Sequence, residues 1–168
     1  MPKIIENLRQ KLLQEARRQL EQCGYGALTI RSVASGCAVG VGTVYNYFAS
    51  KDELVAGVML EDWQARIAAI QAVSRASETP EAVLRAIYDQ LRQFIARHQP
   101  VFSDASAVSS FSGAPSPYHD LLRRQLAEPL GKYCEDTFAS EFIAEALLTW
   151  TVAGEKYENI WKMIEKLL

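Results

Sequence analysis

A chain of 168 residues, 49% hydrophobic and 23% charged with no low-complexity run, can bury a sizeable core and is not a disordered polymer. No uninterrupted apolar segment approaches the ~18–20 residues that span a bilayer, and the charged opening MPKIIENLRQKLL is unlike a signal peptide, so a cytoplasmic protein with no membrane partner is expected. The net charge of −2 is unevenly spread: residues 1–55 hold seven Lys/Arg against five acids, a net +2, leaving 11 against 15, a net −4.

A mildly basic head on an acidic body fits an N-terminal nucleic-acid reader with a different task downstream. Three cysteines (Cys23, Cys37, Cys134) without CxxC spacing argue against a disulfide framework or zinc site and read as small buried thiols. Two isolated histidines, His98 and His119, are too few for a metal site. The sequence carries no nucleotide loop, G-x-S-x-G context or nucleophile–base set, so no enzyme and no cofactor are expected.

In chain order, Ile5, Leu8, Leu12, Ala16, Leu20 and Cys23 recur at steps of three or four and predict a first helix from about Ile4 to Cys23, ended by Gly24. The stretch LTIRSVASGCAVGVGTVYNYFASKDEL, Leu28 to Leu54, then reads as two short helices and the capped start of a third. Thr29 is suited to cap a helix from Ile30 to about Ser35, and Gly36 to end it with positive φ. Val39 to Phe48 predicts the second helix, with Val44 and Phe48 on its packing face and Thr43, Asn46 and Tyr47 turned away. Ser50-Lys51-Asp52-Glu53 is a capping box, serine and glutamate satisfying two end amides reciprocally. A short helix with one buried face and small polar and aromatic groups on the other suits a DNA major groove.

A long helix should run from Lys51 to about Ala76 on Leu54, Val58, Trp63, Ile67 and Ile70. Thr79-Pro80 opens the next, to about His98, with Leu84, Ile87, Leu91 and Phe94 in helical phase. Pro100 starts a new segment, residues 112–116 (SGAPS) form a loop, and Pro117 opens a helix that Pro129 should break. Ser140 is a plausible cap for the last segment, whose apolar stripe runs to Leu167 past Gly154, as one helix or as two bent there. So long a stripe suggests an interface with a second chain.

The runs T-x-R-x-V-A (Thr29–Ala34) and G-T-V-Y-N-Y-F-x-S-K-D-E-L (Gly42–Leu54) resemble the N-terminal domain of the TetR family of transcriptional regulators, over about Leu8 to Val58. The resemblance implies an all-α fold, with a three-helix helix-turn-helix domain over residues 1–50. A helical ligand-binding and dimerisation domain would follow over 51–168, with 51–76 as connecting helix. It implies a homodimeric, ligand-responsive repressor that binds a pseudo-palindromic double-stranded DNA operator and releases it on binding a small, largely apolar inducer. Ligand would act by tilting the connecting helix.

By position, the resemblance assigns Arg31, Thr43, Tyr45 and Asn46 to bases or backbone, and Tyr47 and Lys51 to phosphates. Lys3 is a further phosphate candidate, and Val41 is left only apolar contact. The plain alternative for Tyr45 and Tyr47 is packing of the small domain. Gly40 and Val41 stand where many relatives carry polar groups, and glycines at 36, 40 and 42 each cost a helix about 1 kcal/mol relative to alanine. A helical ligand-binding or scaffold protein with a vestigial head therefore stays open.

The inducer pocket implied for the body has Trp63, Ile67, Ile87, Leu91, Phe94, Phe102, Phe111, Tyr118 and Leu122 as candidate lining, with Tyr88, Asp104, His119 and Tyr133 to orient a ligand. Aromatic residues at helical spacing are usually just core, which is the plain alternative for these residues. Trp150, Tyr157, Trp161 and Ile164 are the candidate dimer contacts.

Overall fold

The computed structural model describes residues 7–107 and 117–168, and every regular element among them is helical. Lys3, Phe111 and the 112–116 loop lie outside the described residues. The described chain forms two compact units, residues 7–62 with 98–107, and residues 63–97 with 117–168.

In the first unit, α1 (Leu8–Ala27) buries Leu8, Leu12, Leu13, Ala16 and Leu20 against Ile30, Val33 and Ala34 of α2 (Ile30–Gly36), and the core continues through Val44 of α3 (Val41–Tyr45). Phe48 follows α3, and Leu54, Val55 and Val58 from the start of α4 (Lys51–Ala76) complete the core. Gly24 breaks α1 where expected, with φ +75°, but the chain then makes one more helical turn, which buries Tyr25. That turn makes α1 end at Ala27 instead of Cys23. The second helix of the pair is also shorter than its apolar spacing suggested: extended backbone at Gly40 sets its start at Val41, and its regular turns end at Tyr45. Helical hydrogen bonds nevertheless continue to the Phe48 amide, 3.0 Å from the Val44 carbonyl. Beyond the second unit's first stretch of chain, α6 (Gln99–Phe102) returns to the first unit and packs Val101 near α1.

Glycine does not supply the left-handed residue between α2 and α3. Gly36 is the last residue of α2, and Ala38 takes φ +54°. Around it the Val39 amide reaches the Ala34 carbonyl (2.9 Å) and the Ala38 amide that of Ser35 (3.1 Å), the paired bonds of a Schellman ending. Gly36 is needed for a different reason: a Cβ there would sit 2.8 Å from Glu15 Cγ and nearer still to its carboxylate.

In the second unit, Trp63 of α4 packs edge-on to Phe94 of α5 (Pro80–Arg97), with ring centroids 5.3 Å apart, and its Nε1 donates to Gln125 Oε1 (2.7 Å) on α7 (Pro117–Ala127). Pro129 ends α7 as expected, in a 3₁₀ turn over Glu128–Tyr133. From that turn Lys132 Nζ donates to the carbonyls of Ser74 (2.5 Å) and Ser77 (2.9 Å), and Tyr133 Oη to Ser77 (3.0 Å). A cation thus satisfies carbonyls that the C-terminus of α4 leaves without partners.

Asp136 caps α8 (Thr137–Val152), accepting from the Ala139 amide at 2.8 Å, so Ser140 lies inside the helix and not at its cap. The final stripe divides into two helices, since Gly154 at φ +83° closes α8 before α9 (Tyr157–Ile164). Both bury one face, through Ile143, Ala144, Leu147, Leu148, Tyr157, Ile160 and Ile164. No helix among the described residues is long and apolar enough to cross a membrane.

Candidate nucleic-acid interface

Local hydrogen bonds fix α2 before any packing is counted. The Ser32 amide donates to Thr29 Oγ1 (3.0 Å) and the Thr29 amide to Ser32 Oγ (3.1 Å), a reciprocal capping box. Ser32 Oγ also donates to Gln19 Oε1 (2.6 Å), tying α2 to α1. Gln19 in turn donates to Glu15 (2.7 Å), whose other partner is Arg18. The Arg18 hydrogen bonds hold the Glu15 carboxyl down at about 2.

Arg31 projects from the first turn of α2 and is exposed. In and after α3, the buried Val44 and Phe48 anchor a short stretch whose other side chains face outward: Tyr45 is 52% exposed, Tyr47 43%, and Asn46 is exposed. The packing alternative for the two tyrosines therefore does not describe them. Val41 and Thr43 are half-buried. Helical spacing makes Val41 a neighbour of Tyr45, and Thr43 a neighbour of Tyr47.

The capping box of α4 forms with one change of register. The Glu53 amide donates to Ser50 Oγ (3.1 Å) as expected, but Glu53 Oε2 accepts from the Ala49 amide (2.6 Å), one residue before the cap. Lys51 stands in this first turn with its Nζ 3.8 Å above the buried Tyr25 ring, a cation–π contact. The Tyr25 hydroxyl donates to Asp52 Oδ1, so one aromatic residue holds two consecutive charged ones.

Sequence reasoning missed Tyr25, which it placed in a link, and Arg9, whose exposed guanidinium lies 5.3 Å from the Phe48 ring. Their partners, Lys51 and Asp52 for Tyr25 and Phe48 for Arg9, are distant in sequence, so no local pattern flags either one. The thiols also differ from expectation: Cys23 is exposed, and Cys37 and Cys134 are half-buried, with burial pushing both of the latter upward.

The residues assigned to ligand and partner contacts are placed as follows. Trp63, Ile67, Ile87, Leu91 and Phe94 are buried in the second unit, with Leu122 half-buried and Tyr118 exposed. Phe102 belongs to the first unit and is 41% exposed. The four polar candidates all have partners within the chain: Tyr88 Oη with the Glu155 carbonyl (2.9 Å), His119 with Glu145 (2.8 Å), Tyr133 with Ser77, and Asp104 with Ser106. A polar recess of about 250 Å³ lined by Gln10, Gln14, Arg17, Arg18, Glu21 and Glu61 offers little to an apolar molecule, and its arginines pair with Glu61 and Glu15.

Of the candidate dimer contacts, Trp150 is 53% exposed, Trp161 is half-buried, and Tyr157 and Ile164 are buried within their own unit. Tyr157 lies under the Arg85 guanidinium (3.6 Å) and donates to the Glu81 carbonyl. Phe138 and Phe142 are exposed at the spacing that puts them on one face of α8 with Trp150.

Residues 12–58 match the family model described as bacterial regulatory proteins, tetR family. The HTH-type transcriptional regulator UidR of Escherichia coli K12 is 28% identical over 60 residues, 36% of this chain and 31% of UidR, so the match spans about a third of that relative. The HTH-type transcriptional repressor KstR of Mycobacterium tuberculosis is 25% identical over 171 residues, 94% of this chain and 77% of KstR. Among solved structures, the TetR family repressor AlkX of a Dietzia strain, implicated in biodegradation of n-alkanes, superposes with a TM-score of 0.69 at 16% identity, covering 94% of this chain and 98% of its own. The multidrug binding protein EbrR complexed with imidazole gives 0.66 at 18%, covering 95% and 94%. These two likenesses concern the fold.

Proposed function

Because the chain is a tetR-family bacterial transcriptional regulator, we propose that it is a cytoplasmic repressor that binds a pseudo-palindromic operator as a homodimer and releases it on binding a small apolar molecule. The observation that carries this reading is the outward display of Tyr45, Asn46 and Tyr47 from a stretch anchored by Val44 and Phe48. In it, Arg31 reaches a base edge or phosphate, Asn46 is suited to adenine, and Thr43 and Val41 to thymine methyls. Tyr47 and Lys51 contact phosphates and fix the register.

The exposed face of α8 with Phe138, Phe142 and Trp150 supports self-association, since an apolar face of this kind calls for a covering surface. Two heads then read two half-sites one helical turn apart. An apolar inducer is supported by the buried cluster around Trp63 and Phe94 and by what is said of AlkX and EbrR. Regulation, and not catalysis, is the role this assigns.

The test is fluorescence anisotropy with the chain's own upstream DNA across a salt series. Salt-dependent binding is expected, and Arg31→Ala or Tyr45→Ala should each weaken it about 5–100-fold, from ~1–3 kcal/mol per contact, without altering the oligomer. Unchanged affinity in both variants would refute the docking. Gly40 leaves α3 uncapped and Val41 brings no hydrogen bond, which favours, as second reading, a ligand-binding protein with a vestigial head. Wild-type protein without salt-dependent binding would decide for it.

A further inference from the structure

Helix α1 meets α2 along a polar seam as well as an apolar one. Lys11, Glu15 and Gln19 stand four apart and so lie in one row along α1. This row touches α2 at both of its ends. At the start of α2, Gln19 Oε1 accepts from Ser32 Oγ (2.6 Å). At its close, Glu15 takes the space beside Gly36, and Cys37 Sγ donates to the Lys11 carbonyl (3.6 Å). The seam has a fixed direction. The Glu15 carboxylate can only accept, with Arg18 Nε (2.8 Å) and Nη2 (2.6 Å) on its two oxygens. The Gln19 amide must therefore turn Nε2 toward Glu15 (2.7 Å) and Oε1 toward Ser32. Gln19 is buried, and both ends of its amide are satisfied by this arrangement.

We propose that Gln19, oriented by Glu15, is a positioning residue for DNA recognition: it fixes where α2 lies along α1, and so the point from which Arg31 reaches DNA. The inference rests on the DNA-binding reading above and adds to it a side chain too buried to touch DNA. Apolar burial through Leu12, Ala16, Val33 and Ala34 holds the two helices together but is non-directional. A hydrogen bond weakens steeply once its length or angle leaves the optimum, so the seam is the sharper restraint on register. Arg31 immediately precedes Ser32, and its Cα moves with the seam bond. A forked contact with a base edge tolerates less displacement than attraction to the phosphate backbone does. The seam therefore bears on discrimination between sequences more than on affinity for DNA in general.

Gln19→Met is the decisive variant, because methionine keeps the length of the side chain and removes the amide. Neither partner is orphaned, since Ser32 Oγ also has the Thr29 carbonyl within reach (2.8 Å) and Glu15 keeps Arg18. Gln19→Leu repeats the test with a different apolar shape. The probes are a duplex enriched by the wild-type protein from a random-sequence library and an unselected random duplex of equal length, both followed by fluorescence anisotropy. Each variant should lose about three- to tenfold in affinity for the selected duplex, stay within about twofold of wild type on the random one, and melt close to wild type. In an Arg31→Ala background the loss from Gln19→Met should shrink to less than about twofold. Undiminished discrimination in either variant, or an undiminished loss without Arg31, overturns the positioning role while leaving DNA binding standing. Equal losses on the two duplexes make Gln19 a stabilising residue of the head and overturn it too. Wild type that enriches no sequence overturns the operator reading and this inference with it.

Discussion

Replacing Ala38 with glycine should stabilise the protein, and the size of the effect follows from two helix endings in the same chain. Helix α2 closes around Ala38 at φ +54°, and α8 closes around Gly154 at φ +83°. The hydrogen bonds correspond one for one. The Glu155 amide reaches Trp150 (2.9 Å) and the Gly154 amide Thr151 (3.0 Å), as Val39 reaches Ala34 and Ala38 reaches Ser35. Alanine in the left-handed region brings its Cβ too near the following carbonyl, a penalty of about 1–2 kcal/mol. Glycine removes it but adds freedom to the unfolded chain worth about 0.4–1 kcal/mol. Ala38 is exposed, so no packing is lost. The net expectation for Ala38→Gly is a gain of about 0.5–1 kcal/mol, and for Gly154→Ala a loss of about the same size. Urea titrations followed by circular dichroism would measure both, and a melting shift of about 2–4 °C per kcal/mol is expected for a chain of this size. All three tryptophans lie in the second unit, so tryptophan fluorescence follows the Gly154 substitution separately. A neutral or destabilising Ala38→Gly would refute the claim that this turn is strained.

Gly36→Ala should destabilise the head by about 1–3 kcal/mol, because the new methyl displaces Glu15 from Arg18 and Gln19; urea midpoints read the loss, and a neutral result would mean that Glu15 moves aside freely. Glu15 has its carboxyl lowered from 4.5 to about 2, so its contribution is present above about pH 4.5 and is lost as pH falls toward 2. Glu15→Gln should flatten that part of an acid denaturation curve. Tyr157 is pushed up to about 12, chiefly by burial, so its share of stability is full below pH 10 and declines between 10 and 12. Tyrosinate absorbance should show one late-titrating group, absent in Tyr157→Phe. Lys132→Met should cost about 1 kcal/mol by uncapping α4, visible as an earlier tryptophan-fluorescence transition in urea.

Much of the head is legible in one dimension, because its determinants are local. The Thr29 cap, the Ser50–Glu53 cap and the Val44/Phe48 anchor each act over three or four residues, which helical geometry brings together whatever the rest of the chain does. The same holds for Pro80, Pro117 and Pro129 as punctuation, and for α4 ending at Ala76. Ser140 misled because a serine can accept at a helix start or donate within one, as it does here to the Thr137 carbonyl (2.9 Å), while Asp136 takes the cap.

Sequence alone determined where the longer helices lie and which short stretch displays its side chains outward, since periodicity and caps are properties of neighbours along the chain, whereas the four-residue α6 carries too little periodicity to be read. Tertiary structure decided everything that depends on an unrelated segment arriving. Ala38 and not Gly36 turns left-handed, while Gly36 leaves the space beside it to Glu15 of α1. Tyr157 and Ile164 are covered by their own unit while Phe138, Phe142 and Trp150 are not. An apolar stripe states that a surface must be covered, never by what. Lys51 is the sharpest instance: its place at the start of α4 is written in the local sequence, while Tyr25, whose ring lies under its ammonium, reaches it only through the fold.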